Sequence, residues 1–324
     1  MFAVEATTTG RLCLCGTGPH RHREDRIRMA RLLITGASGF IGRHLVRALA
    51  PRHTVFAMVR SADEAPPDAA ARPVVQDLAR PLDTAALPES VDAVIHLAQS
   101  RYYKAFPERA DDIFAVNVGG TFRLLDYARR AGARCFVLAS SGGVYGTSYE
   151  RFVETDPVNP LNFYVSSKYS GELLTASYRP FFHTIVFRFF FVYGPGQTGM
   201  LVPNLLRQVQ DGRQITIQGD PGIRVNPIHV RDAVRVFEPA MALQRSEVFN
   251  VAGDETVTVT DLVRLMEQAA GRRADVVHVP SDAQGDLAGE NQRMKDVLDV
   301  RPRITLREGL EEMVRSAGTG EATP

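Results

Sequence analysis

The stretch "TGASGFIG", Thr35 to Gly42, decides how this chain is read. It follows "MARLLI", a short apolar run that reads as a buried strand, and it opens "FIGRHLVRALA", whose apolar residues recur at helical spacing. Strand, glycine turn and helix in succession place free backbone N–H groups at a helix N-terminus, where they and the helix dipole hold an anion. Gly36 allows the tight turn, Gly39 lets phosphates approach the backbone, and Gly42 lets the helix lie close to the strand.

In this strand-turn-helix context the spacing is a fingerprint for the pyrophosphate of a dinucleotide, with Ser38, Phe40 and Ile41 completing the turn. Further apolar runs follow at "HTVFAMV", "PVVQ", "DAVIHLA", "RCFVLAS" and "TIVFRFFFV", separated by helix-length connections. Helices are predicted over Asp111 to Ala131 and from Phe163 to about Tyr178. Continuous apolar strands joined this way make a parallel sheet covered on both faces. The predicted fold class is therefore α/β, a doubly wound parallel sheet of Rossmann type.

Beyond Pro195 the pattern changes to "LVPNLLRQVQDG", "QITIQG" and "TVTVTDLVRLMEQAAG", which predicts a smaller C-terminal α/β lobe that holds substrate. The expected boundaries are a dinucleotide-binding domain over 29–194 and a lobe over 195–318, with part of 225–252 returning to the first domain. Residues 1–28 lack apolar periodicity and are expected to be a disordered extension, with 319–324 a short tail.

Lys and Arg total 38 against 37 Asp and Glu, a formal net charge of +1, so neither nucleic acid nor an anionic membrane is an expected partner. The longest apolar runs fall far below the ~20 residues of a membrane span. Three cysteines, Cys13, Cys15 and Cys135, supply no disulfide framework, and a cytoplasmic location is expected. Cys13, Cys15, His20 and His22 match no zinc-ligand spacing, so no metal is expected.

The second strand ends "AMVRS". An acid that would accept from a ribose 2′-hydroxyl is missing there; Arg60 stands instead and suits a 2′-phosphate, so the cofactor reading is NAD(P), leaning to NADP.

In "FYVSSKYSGELL", Tyr164 and Lys168 are four residues apart and share one helix face. A phenol with a reference pKa of about 10 shuttles protons poorly at neutral pH, and a nearby ammonium lowers that value. Alone, the pair reads equally as a core aromatic beside a snorkelling lysine. Its company decides. Ser140 and Ser141 end a predicted buried strand, where open α/β sheets place ligands, and Ser141 is positioned to hydrogen-bond a substrate oxygen.

From Ala30 to Gly309 the chain resembles the extended short-chain dehydrogenase/reductases of the NAD-dependent epimerase/dehydratase family. The resemblance rests on "TGASGFIG", Asp77-Leu78, "HLAQ" from His96, "NVGGT" from Asn117, "SSGGVYG", and Tyr164 with Lys168. It implies that Asp77 and Leu78 contact adenine, that Ala98 lines the nicotinamide side, that Lys168 bridges the nicotinamide ribose, and that Leu97, Gln99, Asn117 and Ser140 complete the cofactor site. Tyr164 is then the acid/base and Ser141 its partner, with Gly142 beside the substrate and a homodimer as the assembly. For His96 a packed strand residue is the preferred reading over a catalytic one.

Family members often act on nucleotide sugars, and "GDPGIRVNPIHVRD" resembles the family's segment around a diphosphate-contacting arginine, which makes Arg224 the candidate clamp. Two departures stand against this: Phe191 replaces an asparagine that touches the diphosphate in sugar-nucleotide members, and no second phosphate arginine lies near Asp282 to Gln284. Gly142 and Gly143 follow Ser141 where dehydratases carry an acid pair, which excludes dehydration. The leading expectation is a nucleotide-sugar epimerase working by hydride removal and return, at C4. The alternatives are an NADPH-dependent ketoreductase of a keto-sugar nucleotide or other small carbonyl, and, last, a non-catalytic NADP-binding sensor or scaffold. "SRYYKAF" is expected to overhang the substrate, with Tyr102, Tyr103 and Lys104 as contacts.

Overall fold

A computed structural model describes residues 29–64, 68–281 and 285–318. The extension with its Cys13, Cys15, His20 and His22 lies outside the described residues, as do Asp282 to Gln284 and the tail.

The first half runs β1 (Arg31–Thr35), α1 (Phe40–Leu49), β2 (Thr54–Val59), β3 (Arg72–Val75), β4 (Ala93–His96), α2 (Ala110–Phe114), α3 (Thr121–Arg130), β5 (Cys135–Ser141), α4 (Phe163–Ser177) and β6 (His183–Phe189). Then come β7 (Val192–Tyr193), α5 (Leu201–Asp211), β8 (Ile215–Gln218), β9 (Arg224–Val225), β10 (Ile228–His229), α6 (Val230–Ala233), α7 (Phe237–Met241) and β11 (Glu247–Val251). The chain closes with β12 (Val257–Thr258), α8 (Val259–Ala270), β13 (Val276–Val279), α9 (Gln292–Leu298) and α10 (Leu306–Gly318).

Seven parallel strands form the main sheet in the order β11-β6-β5-β4-β1-β2-β3. Strand side chains alternate: Leu32 and Ile34 pack on one face with Leu45 and Leu49 of α1, while Leu33 packs on the other with Leu124 and Leu125 of α3. Both faces are covered, which is why these strands read as unbroken apolar runs. Strand order reverses between β1 and β4, and the crevice at their C-terminal ends is where such sheets bind ligands. The smaller lobe has its own core, with Leu205 and Val209 of α5, Ile217 of β8, and Leu262 and Met266 of α8. β11 leaves this region to pair with β6 in the main sheet.

Two predicted elements are divided. The helix expected from Asp111 to Ala131 is α2 and α3 joined by a π-helical turn over Ala115–Gly120. The Thr121 hydroxyl donates back to the Asn117 carbonyl at 2.6 Å, and a Cβ on Gly120 would lie 3.2 Å from Leu78, so the turn packs close to the cofactor side. The run "TIVFRFFFV" ends as a strand at Phe189, because Phe191 takes φ 45° and turns the chain before β7.

Candidate active site

The glycine turn forms one wall of a cavity of about 980 Å³ at the strand C-termini. Gly36 has φ +66°, and a Cβ there would meet the Ala98 amide nitrogen at 2.7 Å. A Cβ on Gly42 would sit 2.0 Å from the Gly36 carbonyl, which leaves glycine as the residue that fits. No side chain caps α1 and no acid stands in its first turn, so its N–H groups are left to an anion. This cradle suits a dinucleotide pyrophosphate.

α4 carries the next wall. The Asn162 side chain accepts from the Val165 amide at 3.1 Å and starts the helix so that Tyr164 and Lys168 both face the cavity. The Tyr164 hydroxyl donates to Gln99 Oε1 at 2.8 Å, and the Tyr103 ring lies 5.2 Å away. Burial, then the neighbouring Tyr103, raise the Tyr164 pKa above the ordinary phenol value. Burial also pushes the Lys168 ammonium down to about 8, against an opposing pull from the Glu172 carboxylate.

Beneath these groups lies a buried network absent from the sequence reading. Ser140 donates to Glu172 Oε1, and Arg188 grips the same carboxylate with Nη2 at 2.7 Å and Nε at 3.1 Å. The three side chains are 6–7% exposed. Burial opposes the Arg188 charge, yet hydrogen bonds and attraction from Glu172 outweigh it and hold the guanidinium pKa above normal. Glu172 follows Lys168 by four residues, one helical turn, and that spacing was the available signal. Ser141 faces the cavity, and its hydroxyl oxygen accepts from the Gly143 amide at 3.1 Å.

Of the residues predicted to bind cofactor, all line this cavity except Asn117. Asn117 is buried with both ends of its amide engaged: it accepts from the Ser100 amide at 2.8 Å and donates to Ser167 at 2.9 Å. It therefore shapes the loop after β4 from behind. Gly142 also stays off the cavity surface, and a Cβ there would lie 2.5 Å from the Phe190 ring. Arg224 lies outside the cavity as well: its Nε donates to Asp286 Oδ2 at 2.6 Å and its Nη2 to the Tyr149 carbonyl, so a carboxylate already holds the expected clamp.

His96 is structural. Its ring sits between the hydroxyls of Thr35 at 2.8 Å and Thr121 at 3.0 Å, and burial followed by the nearby Lys168 charge pushes its pKa down to about 3. The 100–106 loop does overhang the site: Tyr102 and Tyr103 line it, Tyr103 reaches the Met200 sulfur at 3.0 Å, and Lys104 donates to the Gly199 carbonyl at 2.9 Å. Phe191, Leu287 and Met200 add apolar wall, and Glu64 faces the cavity from the turn after β2.

A glycine cradle and a Tyr-Lys-Ser group on one parallel sheet define an enzyme of the extended short-chain dehydrogenase/reductase type. The chain belongs to the NAD dependent epimerase/dehydratase family, whose profile matches residues 32–252. It is 28% identical over 310 residues to the uncharacterized UDP-glucose epimerase YtcB of Bacillus subtilis, covering 86% of this chain and 95% of that protein. It is 32% identical over 317 residues to a dTDP-4-dehydro-6-deoxy-D-allose reductase of a Streptomyces species, covering 90% and 97%. Among solved structures, the UDP-glucose 4-epimerase of Thermus thermophilus in complex with NAD matches with a TM-score of 0.77 and 26% identity, over 90% of this chain and 100% of that one. Among the described residues no helix is long and apolar enough to cross a membrane.

Proposed function

We propose that the protein moves hydride between a nicotinamide dinucleotide and a carbinol carbon of a nucleotide sugar, C4, and returns it to the opposite face as an epimerase. The observation that carries this reading is that Tyr164, Lys168 and Ser141 face the same cavity as the glycine cradle.

Tyr164 is a neutral phenol in the free site, its pKa raised by burial and Tyr103. When bound, the dinucleotide supplies the hydride acceptor and a positive ring that favours the phenolate. Lys168, on the same helix face, adds a second positive charge. Tyr164 then takes the carbinol proton as hydride leaves the carbon, and gives it back when hydride returns. Ser141 donates to the same substrate oxygen, and once that oxygen is a ketone it accepts the phenolic O–H that Gln99 accepts in the free site. Gly142 and Gly143 offer no acid or base after Ser141, which favours epimerisation over elimination of water.

A second reading, a ketoreductase consuming NADPH, is favoured by Arg60 on the cavity wall. Incubating purified protein with a panel of UDP- and dTDP-sugars separates the two. Epimer formation with no net change in cofactor supports the first. Stoichiometric oxidation of NADPH on 4-keto sugars supports the second, and inertness toward both panels removes both.

Homodimer formation through α2, α3 and α4 belongs to the same proposal, supported by exposed Phe114, Phe122 and Leu173 on those helices. Sedimentation of Phe122→Glu against wild type tests it: a dimer that stays intact in the variant moves the seam elsewhere.

A further inference from the structure

Two segments flank the crevice between the neighbouring strands β1 and β4: α1, which follows the glycine turn, and the 100–106 loop, which follows β4. A third segment crosses from one to the other. Gly196 to Met200, the stretch before α5, is fixed at one end by Arg43 of α1, whose Nη2 donates to the Gly196 carbonyl at 2.5 Å. At the other end the Lys104 ammonium donates to the Gly199 carbonyl at 2.9 Å, and the Tyr103 hydroxyl to the Met200 sulfur at 3.0 Å. Arg43, Gly196, Gln197, Thr198, Met200 and Tyr103 all line the cavity.

The crossing segment is built to bend. Gly196 and Gly199 take φ +77° and +75°, left-handed backbone that glycine adopts without strain, and a Cβ on Gly199 would stand in open space among the described residues. No side chain caps α5 at Met200, so local structure does not anchor that end and Lys104 and Tyr103 do. We infer that Gly196–Met200 is a clasp over the dinucleotide. It must part from α1 or from the 100–106 loop for the cofactor to enter or leave, and its side-chain contacts set the rate of cofactor exchange. This rests on the dinucleotide reading of the cavity given above.

The clasp bears on which reaction the site serves. An epimerase reuses one dinucleotide turn after turn, because hydride returns to carbon. A reductase must release oxidised cofactor after each product, so slow exchange serves the first and limits the second. The contacts also fix the kinetic signature. Each joins protein to protein, so loosening one populates the parted arrangement with and without cofactor alike. Entry and release then quicken together, and their ratio, the Kd, stays constant. Loss of a direct cofactor contact instead raises koff alone and weakens Kd.

The test is stopped-flow fluorescence on the purified full chain: NADH binding gives kon, and release of bound NADH into excess NAD+ gives koff. The proteins compared are wild type, Lys104→Met, Arg43→Met and the double variant. Each single change is expected to raise kon and koff alike by about three- to tenfold with Kd nearly unchanged, and the double variant by more than either. A Kd that weakens through koff alone in either variant makes the lost group a cofactor contact and overturns the clasp. Unchanged rates, whatever the melting temperature, reduce the segment to a tie between the lobes and overturn the inference while leaving the enzymatic reading intact. Wild-type protein that binds neither NADH nor NADPH overturns the functional reading itself, and this inference with it.

Discussion

The Glu172 carboxylate lies one helical turn beyond Lys168 on α4 and supplies the pull that opposes burial of the Lys168 ammonium. The same carboxylate accepts from Ser140 and pairs with Arg188. One acid therefore links the ammonium of the site to the end of β5. With Lys168 held down to about 8, kcat/KM in the free enzyme is expected to fall on the alkaline side with a midpoint near that pH. Glu172→Gln keeps an acceptor for Ser140 and Arg188 but removes the charge, and should move that midpoint to lower pH. A pH profile that drops uniformly, with its midpoint fixed, would reduce Glu172 to a packing role. Melting must be followed in parallel, because leaving Arg188 buried without its anion costs about 3–5 kcal/mol.

Lys168 also carries a stability signature whose sign can be worked out. Its folded pKa of about 8 lies below its ordinary 10.5. Below about 8 both folded and unfolded chains hold the proton, so the full burial penalty is present. Between these values the unfolded chain binds the extra proton, and stability rises with pH. Lys168→Met should therefore be more stable than wild type at neutral pH by up to roughly 3 kcal/mol, with the gap closing as pH rises through this window. Urea unfolding of both proteins across that range measures it; a constant gap would mean that Lys168 keeps its proton in the folded protein as it does in the unfolded chain.

Tyr164→Phe removes the hydroxyl that donates to Gln99 and leaves the ring against Tyr103. Turnover is expected to fall by about 10²–10⁴-fold, the usual worth of a positioned acid/base, with dinucleotide affinity nearly unchanged. Single-turnover kinetics and a binding titration check the two halves. Turnover that survives the change would assign proton transfer to another group.

Phe190 is clamped between two glycines: a Cβ on Gly142 or on Gly289 would each lie 2.5 Å from its ring. Gly142→Ala should destabilise the fold by about 1–3 kcal/mol through overpacking. Adding Phe190→Leu should recover part of that loss, so the double variant costs less than the two single changes summed. Thermal melts of the four proteins give the coupling, and strict additivity would show that the ring is free to move aside.

The sheet and the cofactor wall were legible because their signals are local. Buried strands such as Arg31–Thr35 and Cys135–Ser141 declare themselves by unbroken apolar character, and Gly36, Gly39 and Gly42 by a spacing that few other constraints produce. Tyr164 and Lys168 are readable as a pair because one helix fixes their common face. Contacts made between distant segments left no such mark. Nothing near Arg224 in the chain shows that Asp286 holds it, and nothing in "RSADE" shows that Glu64 folds back onto Ser38. The family motif around Asn117 implies a ligand contact, whereas the π-helical turn directs its amide inward to Ser100 and Ser167.

Phe191 combines a left-handed backbone, φ 45°, with a place on the cavity wall. A residue with a bulky side chain pays about 1–2 kcal/mol there, whereas asparagine adopts this conformation readily. Phe191→Asn relieves that strain and gives up part of the packing of a half-buried ring, two terms of similar size and opposite sign, so melting should shift little. The amide also restores the donor that the family resemblance associates with a sugar-nucleotide diphosphate. If the substrate diphosphate passes Phe191, the variant should lower KM for a nucleotide sugar with kcat nearly constant, the mark of binding gained equally in ground and transition states. Steady-state kinetics on wild type and variant decide it, and an unchanged KM in a folded variant would place the diphosphate along another wall of the cavity.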